Sequence, residues 1–345
     1  MSRARSGSRS TYGDQHDLAY TGPISFIDLP YARCLEDAAH AFDIAVLGFP
    51  FDTTTSYRAG ARFGPHAIRI GSRVGPQAHT LSWGGSPYDF GARLVDCGDV
   101  PVTPMDNAKA IDQMEGGETK SSTAAMAKDG KEHPRIVTLG GDHTIVLPIL
   151  RSLFKVYGPI SVIHFDAHFD TANVQGRVGQ ARVSHGSYFD IAFEEHLMTN
   201  TSIHGGIRQK MGGTDMVEHD ESVGFAVISA EDLDDYGMQN VIKKIRERVG
   251  TGPVYLSLDI DVIDPGMAPG TGTPEAGGWT TREVKRIIRG LAGLNFVGCD
   301  VVEVAPAYDR AEITARAAAG IAGDFLQMMQ ADAPPKPHGG PFLEN

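Results

Sequence analysis

Eight short segments that are apolar almost throughout constrain this chain more than any other feature. They are DIAVLGF (43–49), RLVDC (93–97), RIVTLG (135–140), ISVIHFD (160–166), SIHGGIR (202–208), GFAVIS (224–229), VYLSLDI (254–260) and FVGCDVVEV (296–304). A strand with one wet face alternates apolar and polar residues, whereas a strand covered on both faces does not; most of these segments lack the alternation. Helix-compatible stretches or loops separate them, so the pattern is that of an α/β protein with a buried parallel sheet. Helical periodicity is clearest in TREVKRIIRGLAGL (281–294), with Thr280 or Thr281 as its cap, and in AEITARAAAGIAGDFLQMMQ (311–330). The span 107–134 reads as a helix and a polar surface loop. No linker divides the chain, which predicts one domain over 24–331 between flexible tails at 1–23 and 332–345.

A formal charge of -12 without a long basic run argues against nucleic acid and against an anionic membrane surface. The apolar runs are too short to span a bilayer, and the start, MSRARSGSRSTYGD, lacks a secretory hydrophobic stretch. Its arginines and serines faintly resemble an organelle transit segment, though a solvated tail accounts for them as well. Three cysteines, Cys34, Cys97 and Cys299, give no disulfide framework and no zinc-ribbon spacing, which points to a reducing compartment. The expected location is cytoplasmic, with mitochondrial as the alternative.

Four of the segments end in, or run into, ionisable side chains. Segment 135–140 leads into GGDH and His143; 160–166 into DAHFD, with Asp166, His168 and Asp170; 254–260 into DIDVID, with Asp259, Asp261 and Asp264; and 296–304 contains Glu303. In a parallel sheet, ligands bind outside the carboxyl ends of the strands, so these residues are expected to converge there. A spacing of two in an extended segment puts Asp166, His168 and Asp170 on one side, and likewise Asp259 and Asp261. Crowded carboxylates repel and raise one another's pKa unless a cation compensates them. Two imidazoles and four carboxylates without a thiolate suit manganese or another first-row divalent ion, and six ligands exceed what one open catalytic site uses. Two divalent cations, roughly 3.5–4 Å apart, fit better, and would present hydroxide at neutral pH.

Each piece has a plainer reading. DxD is often a turn, and GGDH alone is satisfied by Asp142 capping a helix. His185 alone could be a loop histidine, Glu303 a surface acid, and Asp264 a support for its loop. Arg58 and Arg62 read as structural. What the plain readings do not explain is the joint occurrence.

GGDH, SVIHFDAHFD and YLSLDIDVIDPGMAPGTGTPEAGG resemble the signature regions of the ureohydrolases, the family of arginase, agmatinase and guanidinobutyrase. The likeness extends to DIAVLGFPFDTTTSYRAGARFGPHAIR and DVVEVAPAYD, so that it covers roughly residues 24–330. It implies a three-layer α/β/α sandwich around an eight-stranded, mostly parallel sheet, assembled into homo-oligomers, as trimers or hexamers. It also implies one Mn(II) on His143, Asp166, Asp170 and Asp259, and a second on Asp166, His168, Asp259 and Asp261. Hydroxide oriented by Asp170 would attack a guanidinium carbon and release urea. Glu303 would hold the guanidinium, Thr273 would lie beside the substrate, and His185 would shuttle protons.

The substrate is less constrained. The loop TANVQGRVGQARVS (171–184) lacks the asparagine and serine pattern with which arginases grip an amino-acid head, which lowers arginine in rank. Arg177 and Arg182 lie in this loop. If either faces the pocket, a guanidino acid such as 4-guanidinobutyrate is favoured over agmatine; if both face solvent, that preference disappears. Readings from other classes are a catalytically silent metal-binding relative, disfavoured by the complete ligand set, and a zinc amide hydrolase, disfavoured because one zinc typically takes three protein ligands.

Overall fold

The computed structural model describes residues 24–36, 41–73, 79–123 and 133–336. All eight expected strands form: β1 (Ile44–Phe49), β2 (Leu94–Asp99), β3 (Arg135–Gly140), β4 (Ser161–Phe165), β5 (Ser202–Ile207), β6 (Phe225–Ser229), β7 (Val254–Asp259) and β8 (Phe296–Val302). They make one sheet in the order β2-β1-β3-β8-β7-β4-β5-β6, and every pairing is parallel. The helices are α1 (Gly64–Ser72), α2 (Asn107–Thr123), α3 (Val146–Tyr157), α4 (Tyr188–Glu194), α5 (Asp215–Val223), α6 (Asp232–Tyr236), α7 (Met238–Val249), α8 (Thr281–Leu291) and α9 (Ile313–Met328).

The unbroken apolar character of the strands now has its cause. Along β1, Ile44 and Val46 enter a core shared with Ile68 of α1, Ile245 of α7, Ile287 of α8 and Phe325 of α9. The intervening Ala45, Leu47 and Phe49 enter a second core with Met114 of α2, Leu150 of α3 and Ile191 of α4. Both cores are sealed from water, and each fully buried large aliphatic or aromatic side chain contributes about 1.5–3 kcal/mol. Helices on both faces of a parallel sheet make the three layers. Helix α8 starts as expected: Thr280 Oγ1 accepts from the Glu283 N–H while the Glu283 carboxylate accepts from the Thr280 N–H, a complete capping box.

Strands β1 to β3 build one side of the sheet and β4 to β6 the other, with β8 and β7 closing the gap. The four central strands are therefore β3, β8, β7 and β4, the same four whose carboxyl ends carry the ionisable residues. The carboxyl edge of such a switch in strand order opens a crevice.

One expectation is corrected. Cys34 and Cys97 form a disulfide, with Cα atoms 5.3 Å apart. The segment before β1 runs beside β2, where Tyr31 bridges Asp96 and the Ala32 N–H donates to Asp96 O, so a separation of 63 residues is closed by strand-like pairing that cysteine counting does not see. The cysteine pattern therefore no longer supports a reducing compartment. Cys299 is a buried free thiol in β8. Among the described residues no helix is long and apolar enough to cross a membrane. The expected tail at 1–23, residues 337–345 of the expected tail at 332–345, and the loop part of 107–134 at 124–132 lie outside the described residues.

Candidate active site

At the end of β3 the chain turns sharply through Gly140 and Gly141. A Cβ on Gly141 would sit 1.8 Å from Phe51 O, so only glycine fits there. Asp142 then caps the following turn by accepting from the Thr144 N–H at 3.1 Å, the plain reading of GGDH, and this delivers His143 to the crevice. His143 Nε2 lies 2.8 Å from Ser257 Oγ, which donates to Asp300 Oδ1 at 2.9 Å. With its hydroxyl hydrogen committed to Asp300, Ser257 accepts from Nε2–H, so Nδ1 faces the crevice. There it meets Asp166 Oδ2 at 3.0 Å, Asp170 Oδ2 at 3.1 Å and Asp259 Oδ2 at 3.4 Å.

A second group lies alongside. His168 Nδ1 is 3.2 Å from Asp166 Oδ1 and 3.1 Å from Asp261 Oδ2. The two groups share Asp166; His143, His164, Asp166 and Asp170, and likewise Asp166, His168 and Asp261, have the compactness of metal-binding clusters, with Asp259 beside the first. The donor atoms fit metal ions by a direct test: the buried His143 Nδ1 and Asp166 Oδ2 face each other at 3.0 Å and neither makes a well-directed hydrogen bond, although His164 Nε2 also stands 3.0 Å from that oxygen, and a cation would satisfy both atoms. The electrostatics agree. Burial, followed by repulsion from Asp261 and Asp166, pushes the Asp259 carboxyl well above the usual range, and burial next to Asp166 lifts Asp261 to about 6. Burial acts the same way on Asp166, but His164, His143 and His168 outweigh it and hold this carboxyl well below the usual range. In the absence of ions, protons shared within the cluster offset its negative charge, so ion binding would release them.

The spacing of two works for a reason other than the expected one. Residues Ile260–Val262 form a 3-10 turn rather than extended chain, and Asp259 Oδ1 accepts from the Asp261 N–H at 2.7 Å. Asp166 Oδ1 likewise accepts from the His168 N–H at 2.6 Å. Each leading aspartate thus folds the backbone around its own carboxylate. Asp170 and Glu303 have φ of 57° and 60°, left-handed conformations that are strained for such residues and that cluster where surrounding structure enforces them.

The remaining predicted residues converge as well. Glu303 Oε1 accepts from the His143 N–H at 2.9 Å and lies 3.1 Å from His185 Nδ1, whereas Oε2 is buried and unpartnered. Burial lowers His185, but the Glu303 carboxylate more than compensates and lifts it to about 9. Thr273 Oγ1 donates to Asp261 Oδ2 at 3.3 Å. Asp264 stands apart, accepting from the N–H groups of Gly266 and Gly277, as expected of a loop support. Arg62 pairs with Asp52, and Arg58 stacks 4.9 Å from the Tyr57 ring and 5.4 Å from that of Tyr308; both are structural.

Sequence reasoning missed four residues here. Ser56 holds the other side of His185, its Oγ 2.6 Å and its backbone N 3.0 Å from Nε2, and nothing in DTTTSYR singles it out. Ser257 and Asp300 orient His143. His164, with Nε2 3.0 Å from Asp166 Oδ2, carried one readable signal, an imidazole inside an otherwise apolar strand.

A cavity of about 490 Å³ opens onto the cluster, with His168, Asp170, His185, Asp259 and Thr273 in its wall together with Asp215 and Met216 of α5. Arg177 and Arg182 do not line it; Arg182 pairs with Glu194 and Arg177 is exposed. Neither arginine therefore favours a guanidino acid over agmatine.

A parallel α/β/α sandwich with paired His/Asp clusters at its carboxyl edge has the frame of a metal-assisted hydrolase. Comparison with known proteins defines it further. The sequence matches the Arginase family over residues 42–327, and the chain belongs to that family, hydrolases acting on carbon–nitrogen bonds in linear amidines. A Schizosaccharomyces pombe protein carrying an agmatinase name is 48% identical over 336 residues, covering 91% of this chain and 84% of its own. The agmatinase of Proteus mirabilis is 41% identical over 293 residues, with 84% and 88% covered. Among solved structures, proclavaminate amidino hydrolase from Streptomyces clavuligerus superposes with a TM-score of 0.82 at 34% identity, covering 92% of this chain and all (100%) of its own.

Proposed function

We propose that this ureohydrolase acts on agmatine, giving putrescine and urea. The observation that carries the reading is the charge of the cavity wall: among the described residues no lysine or arginine lines it, whereas the exposed Asp215 does. A guanidine with a cationic amine tail meets a complementary charge there; a carboxylate tail meets none. The agmatinase names of the relatives agree.

Two divalent cations, Mn(II) by the chemistry of the donors, would complete the site: His143, Asp166, Asp170 and Asp259 would hold one, and Asp166, His168, Asp259 and Asp261 the other. When bound, they supply hydroxide at neutral pH and stabilise negative charge developing at the substrate. The protein does the rest. Glu303 Oε2 takes the guanidinium by charge-assisted hydrogen bonds, which orients its carbon toward the cluster. Asp170 orients the nucleophile, Thr273 closes the wall beside the substrate, and His185, fixed between Ser56 and Glu303, moves a proton toward the departing amine. Comparing kcat/KM for agmatine, 4-guanidinobutyrate and arginine on Mn(II)-loaded enzyme tests the reading. Preference for agmatine is expected; preference for either other substrate overturns it.

A further inference from the structure

Beneath the metal-binding cluster runs a line of ionisable side chains that the chemistry above does not use. His164 of β4 and His204 of β5 are register partners across the sheet, and their Nδ1 atoms are 2.7 Å apart. His204 Nε2 lies 3.0 Å from Asp220 Oδ1 of α5, and Asp220 also accepts from Thr171 Oγ1 at 2.8 Å. At the other end, His164 Nε2 stands 3.0 Å from Asp166 Oδ2. His164, His204 and Asp220 are all 0% exposed, and the imidazoles are walled by aromatic rings, with His204 stacked 3.9 Å from Phe225 and Phe189 edge-on to His164.

Two buried imidazoles and a carboxylate cost stability relative to apolar side chains of the same size, so a chain that places them in its core gains something other than packing. Counting hydrogens shows what. Only one hydrogen fits between two Nδ1 atoms 2.7 Å apart. If His164 supplied it, a neutral ring would turn the Nε2 lone pair toward the Asp166 oxygen. If His204 supplies it, His164 keeps its hydrogen on Nε2, facing Asp166, and the hydrogen between His204 and Asp220 leaves that pair with no net charge. The Tyr188 hydroxyl, 3.3 Å from His164 Nε2, can donate to that nitrogen in the first arrangement or accept from it in the second, but only the second keeps the closer contact with Asp166 attractive while Asp166 is ionised.

We propose that His164, backed by His204 and Asp220, is a positioning residue for the carboxylate shared by the two metal ions, fixing the orientation of Asp166 before they bind. The line ends at Thr171, which also lines the substrate cavity, so it ties the α5 wall to the metal-binding cluster. The inference rests on the binuclear reading of the site.

The test uses full-length protein stripped of metal and retitrated with Mn(II) by calorimetry, with bound metal counted by elemental analysis. His164→Leu removes the group facing Asp166, His164→Gln keeps an amide N–H at the Nε2 position, and Asp220→Asn acts from the far end. Mn(II) binding is expected to weaken roughly 10- to 100-fold in His164→Leu, less in His164→Gln and least in Asp220→Asn. Melting of the metal-free proteins should not follow that order. Wild-type affinity in His164→Leu overturns the proposal, as does a loss in His164→Gln equal to that in His164→Leu. If His164→Leu does not fold, His164→Gln and Asp220→Asn carry the test, and wild-type affinity in both overturns it. Wild-type protein that binds no Mn(II) instead defeats the binuclear reading itself, a separate result.

Discussion

Replacing Glu303 by glutamine separates substrate binding from metal binding. The side chain keeps its volume, and its Oε1 can still accept from the His143 N–H, so the metal-binding cluster has no reason to move. What disappears is the carboxylate charge, both at the unpartnered Oε2 and in the pairing of Oε1 with His185. A hydrogen bond to a charged group contributes about 1.5–3 kcal/mol against about 0.5–1.5 for a neutral one, and breaking one side of a buried charge pair costs about 2–5 kcal/mol. A loss of about 2–4 kcal/mol of transition-state stabilisation lowers kcat/KM roughly 30- to 1000-fold. Urea release from agmatine at saturating Mn(II), with bound metal counted on the same sample, measures both quantities. A fall of less than about fivefold, or metal lost in proportion to activity, would refute the assignment of Glu303 to the guanidinium.

Three further outcomes follow from the geometry. His185 is raised to about 9, so in the metal-free protein its pairing with Glu303 should contribute stability fully below the ordinary histidine value near 6.5 and lose it as pH rises to about 9. The difference in unfolding free energy between wild type and His185→Gln should shrink across that window, and a difference that grows with pH contradicts the pairing. Chelation should lower the melting temperature, because an ion at a hundred times its Kd stabilises by about 2.7 kcal/mol per site; a melting temperature indifferent to chelator would mean that the cluster holds no ion. Thr280→Ala removes the capping box of α8, far from the chemistry, and should cost about 1 kcal/mol in denaturant unfolding with urea production intact.

Much of this was legible before folding because the signals are local. A run such as DIAVLGF can bury both faces only inside a covered sheet, and β1 sends Ile44 and Val46 to one core and Leu47 and Phe49 to the other. The motif residues His143, Asp166, His168, Asp170, Asp259 and Asp261 were legible because charged groups at strand ends are costly unless they have a task. The spacing argument gave the right proximity from the wrong geometry, since hydrogen bonds to the N–H two residues on, and not extended alternation, fold Asp259 and Asp166 inward.

Sequence by itself determined the class of fold, the edge of the sheet where the acidic and imidazole side chains gather and the residue types that gather there, since each depends on the period, polarity and local cost of neighbouring side chains. Tertiary structure alone decided that Ser56 faces His185, that Cys34 meets Cys97, that His164 Nδ1 meets His204 Nδ1, and that Arg177 and Arg182 do not line the cavity. Those outcomes join residues from about 40 to about 130 positions apart, and which distant groups meet is fixed by how the sheet and its two cores assemble, information that no short stretch of chain contains.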